Sequence, residues 1–212
     1  YQQCNGVLAQ AMTPLQLMYA GHNIIRSSKL LFLSASGKNK DILNAIKYGV
    51  KYNETGMMSL TLRKNNPTEE LLERYPKVQR WCEDIPSEKD GFLATNSLLA
   101  IFTLLCKAAC ASKFQNSYFK LSDLQPATFT QNLSVIQNFI VMYGATGEPV
   151  AWDIESKLTA AALGSALLSD YRNFGHGRHH WFDKRGENSC IIALITPVER
   201  ELAYKTIGCL PK

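Results

Sequence analysis

Short apolar runs recur along this chain, each followed by a polar, often glycine-bearing turn and then by a helical pattern. Leu30-Leu-Phe-Leu33 gives way to Ser34-Ala-Ser-Gly-Lys-Asn-Lys-Asp41. That turn leads into a helix whose Ile42, Ala45, Ile46 and Gly49 share one face. Met57 to Leu62, Val78 to Cys82, Gln137 to Tyr143 and Cys190 to Ile195 read as further strands, and Gly6 to Met12 as another, short and buried. Apolar runs without polar alternation belong to strands covered on both faces. Strands alternating with helices pair in parallel, because each helix carries the chain back across the sheet. The fold class is therefore α/β, with parallel sheets flanked by helices in three layers.

The same order occurs twice. Apolar periodicity fades between residues 111 and 135, where Asp123, Pro126 and several Thr and Asn mix with aromatics. This divides the chain into a first domain over 1–115, a linker over 116–136 and a second domain over 137–212. Several helix starts are legible. Thr13-Pro14 places a cap before a proline at the first helical position. Asn65-Asn-Pro-Thr-Glu-Glu70 reads as a Thr-x-x-Glu cap, and Thr196-Pro-Val-Glu199 as a capping box. Leu98 to Ala109 is apolar nearly all round, the pattern of a buried helix or one at a subunit contact. Val150 to Leu168 reads as one long Ala/Leu-rich helix.

Composition narrows the function. The chain has 212 residues, 46% hydrophobic and 19% charged, as in ordinary globular proteins. A net charge of +5 is too mild for nucleic acid and favours small anions. No apolar run is long enough for a bilayer and no signal-peptide pattern opens the chain. The six cysteines have no zinc spacing and scatter as in a reducing compartment, so a cytoplasmic location is expected. An opening tyrosine points to a processed, trimmed or partial chain.

The stretch Ser169 to Phe182 carries the densest chemistry, with three of the chain's four histidines: His176, His179 and His180. Histidine exchanges protons near neutrality, and arginine offers a fork of donors to carboxylates and phosphates. Gly175 and Gly177 bracket His176, and the segment reads as a rigid loop presenting His176 and an arginine to an anion. The alternative is a solvated surface turn. One domain stretch earlier, Asp153 and Lys157 stand one helical turn apart and can pair, either beside a ligand or as a surface ion pair. The Ser34–Asp41 turn sits where a helix start presents free N–H groups, so Ser34, Ser36 and a lysine there suit a phosphate. An ordinary capped turn fits that pattern equally well. A metal site on the three histidines is the minority reading, since their spacing is not that of a helical zinc motif and no Glu sits among them. Nucleophilic catalysis by Ser34, Ser36 or a cysteine is weaker still.

Taken together, these motifs resemble the tandem SIS (sugar isomerase) family, which includes the isomerase half of glucosamine-6-phosphate synthase and bacterial sugar-phosphate isomerases and deglycases. Ser34 to Asp41 is similar to the family's Ser-x-Ser-Gly-x-Thr-x-Asp phosphate loop, and Gly91 to Ser97 to its second ligand loop. Asp153-x-x-x-Lys157 is similar to the start of its catalytic helix, and His176-Gly177 follows at the family's spacing. The resemblance implies two SIS-like lobes, a sugar-phosphate ligand, no cofactor, and a homodimer or higher oligomer. It implies catalytic roles for Asp153, Lys157 and His176. It implies substrate contacts from Ser34, Ser36, Gly37, Asn39, Ala94, Thr95, Asn96, Ser97, Arg172 and Arg178, with Asn173 shaping the pocket. Three departures stand out. Asn39 replaces the loop threonine and Ala35 the usual glutamine. Ala160 replaces the glutamate base, and a methyl group cannot take a proton, so isomerase chemistry is lost, Glu155 or Asp170 substitutes, or the alanine is an engineered inactivating change. The family's first strand and its C-terminal lysine segment are not found within the 212 residues. Aldose–ketose isomerisation, amino-sugar phosphate deamination or deglycation, and non-catalytic sugar-phosphate sensing are the functions this leaves open.

Overall fold

The computed structural model describes residues 6–85, 91–109, 135–144 and 146–210. The chain falls into two compact units, Tyr1–Tyr118 and Phe119–Lys212. The expected linker over 116–136 lies outside the described residues except for its last two positions.

In the first unit, α1 (Pro14–Tyr19) and α2 (His22–Ser27) precede β1 (Leu30–Ser34), α3 (Lys40–Asn53), β2 (Met57–Thr61), α4 (Pro67–Leu72), β3 (Gln79–Cys82) and α5 (Asn96–Ala109). The strands pair in parallel in the order β1-β2-β3, with Ser34 opposite Thr61 and Thr61 opposite Cys82. As the periodicity predicts, α3 buries Ala45, Ile46 and Gly49. Ala45 and Ile46 join Leu17, Ile25, Phe32, Met57, Leu72 and Val78 in one apolar cluster. Asn53 ties the helices to the sheet: its Nδ2 donates to the carbonyls of Ile25 and Ser28, and its Oδ1 accepts from the Gly56 N–H just before β2. Thr13 caps α1 in a reciprocal capping box with Gln16.

The second unit holds β4 (Asn138–Tyr143), α6 (Glu148–Ala160), β5 (Ser165–Asp170), α7 (His179–Arg185), β6 (Ser189–Ala193) and α8 (Arg200–Gly208). Its sheet is parallel in the order β5-β4-β6, so β4 is central. Ile140 and Met142 point to one face and pack with Tyr171, Phe174 and Ala203. The alternate residues Phe139 and Val141 are also buried, on the face covered by α6. This is the doubly covered strand that an unbroken apolar run implies. Among the described residues, no helix is long and apolar enough to cross a membrane.

Four expectations about elements are overturned and a fifth is narrowed. Residues 6–12 form no strand and are exposed, Leu8 to 92%. The long helix expected over 150–168 stops at Ala160, and 165–170 is a strand. The chain turns at Ala161–Gly164, where Ala162 takes a left-handed φ of 54°. A Cβ on Gly164 would lie 2.7 Å from the Gln137 carbonyl oxygen and 2.8 Å from the Phe139 ring. Only glycine lets the backbone pass that close to β4, and once it does, the Ser165–Asp170 ladder outweighs the helix propensity of alanine and leucine. The Ser169–Phe182 stretch is not one loop: β5 ends at Asp170, a helical turn and a π-turn cover Tyr171–Arg178, and His179 begins α7. Helix α8 begins at Arg200, because Thr196 and Glu199 bond each other through their side chains instead of capping a helix at Pro197. Helix α5 has no buried residue, and Leu99 and Phe102 are 66% and 62% exposed, which removes the buried one of the two alternatives for it.

Gly164→Ala is expected to lower unfolding stability by about 1–3 kcal/mol through overpacking against β4. Urea denaturation of the variant beside the parent chain measures this directly.

Candidate functional site

Parallel pairing sends the strand-to-helix turns of a sheet out at one edge, the carboxyl ends of its strands. In the first unit that edge carries the Ser34–Asn39 turn between β1 and α3. Ser34 is buried, and its Oγ accepts from the Gly37 N–H at 3.2 Å. Ser36 is exposed, and its Oγ accepts from the Lys38 N–H at 3.3 Å. Asn39 is the N-cap of α3, its Oδ1 accepting from the Asp41 and Ile42 amides at 2.9 and 3.1 Å. Gly37 adopts a left-handed φ of 67°, and a Cβ there would lie 2.0 Å from Asn66 Oδ1. Glycine is required on both counts. The turn thus sets backbone amides and hydroxyls at the start of a fourteen-residue helix, whose amino end favours anions.

The Gly91–Ser97 stretch, expected as a second ligand loop, divides. Residues 86–90 lie outside the described residues, and Gly91 to Thr95 form an exposed bend apart from half-buried Leu93. Asn96 and Ser97 belong to the first turn of α5 and not to a loop, with the Thr95 carbonyl accepting from the Leu99 amide at 3.0 Å. Ala94 and Thr95 are exposed at that helix start.

In the second unit, Lys157 Nζ lies 2.9 Å from Asp153 Oδ1 along α6, with the lysine side chain 28% exposed and the aspartate 45%. Both of the carboxylates considered as a replacement base are engaged. Glu155 accepts from the Thr159 hydroxyl at 3.1 Å. Asp170 caps the turn after β5, accepting from the Asn173 N–H at 2.8 Å and from its side-chain amide. Ala160 is the last residue of α6 and is exposed. His176 is exposed in the π-turn, with non-helical dihedrals there and at Gly177, whose φ is 114°. Arg172 is exposed as well, while Arg178 donates to the Leu168 carbonyl at 2.6 Å. The rings of His179 and His180 lie 4.2 Å apart between centroids, tilted by 37°. No group of three His, Cys, Asp or Glu among the described residues is placed to hold a metal ion.

Two features were not foreseen. Asn66 and Thr68, at the start of α4, bond around Gly37, and Thr68 does not cap the helix as expected: Asn66 does, accepting from Thr68 and Glu69. The only sequence signal was an Asn-Pro before a short helix. At the sheet edge of the second unit, the hydroxyls of Thr146 and Thr196 lie 3.0 Å apart, and Thr196 donates to Glu199 at 2.6 Å. Glu199 packs where a side chain on Gly144 would otherwise stand. Tyr171 donates to the Leu194 carbonyl at 2.8 Å, and burial, with the Glu199 charge second, pushes its phenol pKa up. Burial likewise pushes up the thiols of Cys82 and Cys190, which disfavours either as a nucleophile.

No protein-family model matches the chain, and no curated protein matches it. The crystal structure of tagatose-6-phosphate ketose/aldose isomerase from Escherichia coli does, with a TM-score of 0.76 at 12% identity. The likeness is one of fold. It covers 97% of this chain and 60% of the isomerase, so the chain spans less than two thirds of that protein's length.

Two results are expected from the site as built. Asn39→Ala removes the cap of α3 and lowers stability by about 1 kcal/mol, read by chemical denaturation. A thiol reagent at pH 8 labels exposed Cys209 before Cys82 and Cys190, because the latter two hold their protons above the usual thiol range. Peptide-resolved mass spectrometry gives the order.

Proposed function

We propose that the chain binds a sugar phosphate, with the phosphate held at the Ser34–Asn39 turn, and acts in aldose–ketose isomerisation or in amino-sugar phosphate deamination or deglycation. The observation that carries this reading is the turn itself. A buried serine, an exposed serine, a left-handed glycine and an N-capping asparagine bring two amides and two hydroxyls to the start of a long helix. Such a cradle suits a dianion and costs no buried charge in the protein. The solved protein of like fold is a tagatose-6-phosphate ketose/aldose isomerase.

Isomerisation moves a proton between adjacent carbons of an opened sugar, so it needs help in ring opening, a base and stabilisation of the enediolate oxygen. His176 is the group for ring opening. Lys157, oriented by Asp153, is the cation for a developing oxyanion. Arg172, Asn173 and Arg178 shape the pocket or reach a neighbouring subunit, and the functional form is a homodimer or a higher oligomer. Ala94, Thr95, Asn96 and Ser97 supply further ligand contacts.

One observation favours a second reading, that of a non-catalytic sugar-phosphate sensor. Where the SIS resemblance calls for a glutamate base there is Ala160, and Glu155 and Asp170 are bound to Thr159 and Asn173.

Thermal unfolding against a panel of hexose and hexosamine 6-phosphates tests the shared claim. One of them, at a hundred times its Kd, should raise stability by about 3 kcal/mol; a flat panel removes both readings. Turnover that appears only in Ala160→Glu, with equal binding by both forms, identifies the natural chain as a sensor. Turnover by the chain with alanine at 160 identifies an enzyme.

A further inference from the structure

We infer that Thr68, supported by Asn66, is a positioning residue that aims the Lys38 amide of the Ser34–Asn39 turn at its anion; this rests on the sugar-phosphate reading above. The Gly37 carbonyl accepts twice from Thr68, from its N–H at 3.1 Å and from its hydroxyl at 2.9 Å. A peptide unit is planar and trans, so its C=O and the next N–H point in opposite directions. Fixing the Gly37 oxygen toward α4 therefore turns the Lys38 N–H to the other side of the turn. There it meets the exposed Ser36 hydroxyl at 3.3 Å, a long hydrogen bond that a phosphate oxygen can replace at little cost.

The clamp is itself anchored. Asn66 and Thr68 are each 1% exposed. Asn66 Oδ1 accepts from the Thr68 and Glu69 amides at 2.9 and 3.1 Å, and its Nδ2 donates to the Arg63 carbonyl at 2.6 Å and to the Thr61 hydroxyl at 3.4 Å. Thr61 closes β2, the strand paired with β1, so the chain of bonds runs from the sheet through α4 to Gly37. The same Asn66 fills the space left by the missing Gly37 side chain, which holds the left-handed turn from its open side. Two buried polar side chains are thus committed to the direction of one carbonyl. Capping α4, a helix of six residues, needs only one of them.

The test uses the full chain, titrated calorimetrically with inorganic phosphate and with fructose 6-phosphate and glucose 6-phosphate, and followed at the Lys38 amide by nitrogen–proton correlation NMR. Thr68→Val keeps the shape and the N–H but removes the hydroxyl bond. It is expected to weaken the anion that the parent binds by roughly five- to tenfold, the loss typical of one hydrogen bond. It should also shrink the Lys38 response, and Thr68→Ser should restore both. Leu72→Ala, a cavity variant in the same helix, lowers the melting temperature and leaves affinity in place. Equal affinity in the parent and Thr68→Val overturns the inference and leaves the sugar-phosphate reading standing. A parent chain that binds neither inorganic phosphate nor any member of the hexose and hexosamine 6-phosphate panel overturns both. Should valine prevent folding, Thr68→Ala against Thr68→Ser makes the same comparison: affinity lost with alanine and kept with serine supports the clamp, and no difference refutes it.

Discussion

Parallel pairing is the constraint from which the rest of each unit follows. A strand can lie parallel to its predecessor only if the chain crosses back over the sheet, so every strand must be followed by a helix, and every strand-to-helix turn must leave from the same edge. The register makes this concrete. Ser34 aligns with Thr61 and Cys82 at one end of the first sheet, and Tyr143 with Asp170 in the second, where Met142 aligns with Ala193. The turns that follow Ser34 and Asp170 carry Ser36, Gly37, Asn39, Arg172, His176 and Arg178, while Asp153 and Lys157 stand on helix α6. Apolar burial makes the pairing durable. Ile46 and Leu72 in the first unit and Ile140 in the second are wholly buried, each contributing on the order of 2 kcal/mol.

Strands and turns were legible where local signals and packing agree. The apolar runs at 30–33, 57–62 and 137–143 are strands because each fills the middle of a sheet or its covered face, and nothing nearby competes. The apolar face of α3 was readable for the same reason. Failures came where a local preference met a long-range demand. Ser165-Ala-Leu-Leu168 has good helix formers, but Gly164 lets the backbone reach β4 and the ladder is formed. Gly6 to Met12 has a strand's composition and lies open to solvent, since a strand needs a neighbour and composition cannot supply one. At Thr196 a capping pattern was read as helical, and the hydroxyl went to Glu199 while the helix waited until Arg200.

The candidate site shows the same division. That Ser34, Ser36, Gly37 and Asn39 form a tight, donor-rich turn was visible in the sequence, because serine, glycine and asparagine act on their own neighbours. That the turn is gripped from thirty-one residues away by Thr68 was not. Hydrogen bonds of that span leave no periodicity and no motif; they exist only once the parallel register has brought β1 and β2 side by side. The left-handed Gly37 joins the two levels. Its identity is fixed locally by backbone sterics and globally by the Asn66 side chain that lies against it.

Lys157 and Asp153 show how stability and chemistry separate. At 2.9 Å, with both side chains partly open to water, the pair contributes under about 1 kcal/mol, less than one buried isoleucine. Its value to the fold is small, so its position on α6 has to be judged by what it presents. A lysine near the helix carboxyl end is already favoured by the dipole and held by an aspartate one turn back, and so meets solvent in a fixed direction. Beyond it, the helix ends in Ala160, and the carboxylates at 155 and 170 are bound to their own neighbours. Lys157 and His176 both belong to the second unit, and the position at which the SIS resemblance would place a proton acceptor holds Ala160. A proton-transfer role near this helix would require a base, and the carboxylates at 155 and 170 would first have to give up Thr159 and Asn173.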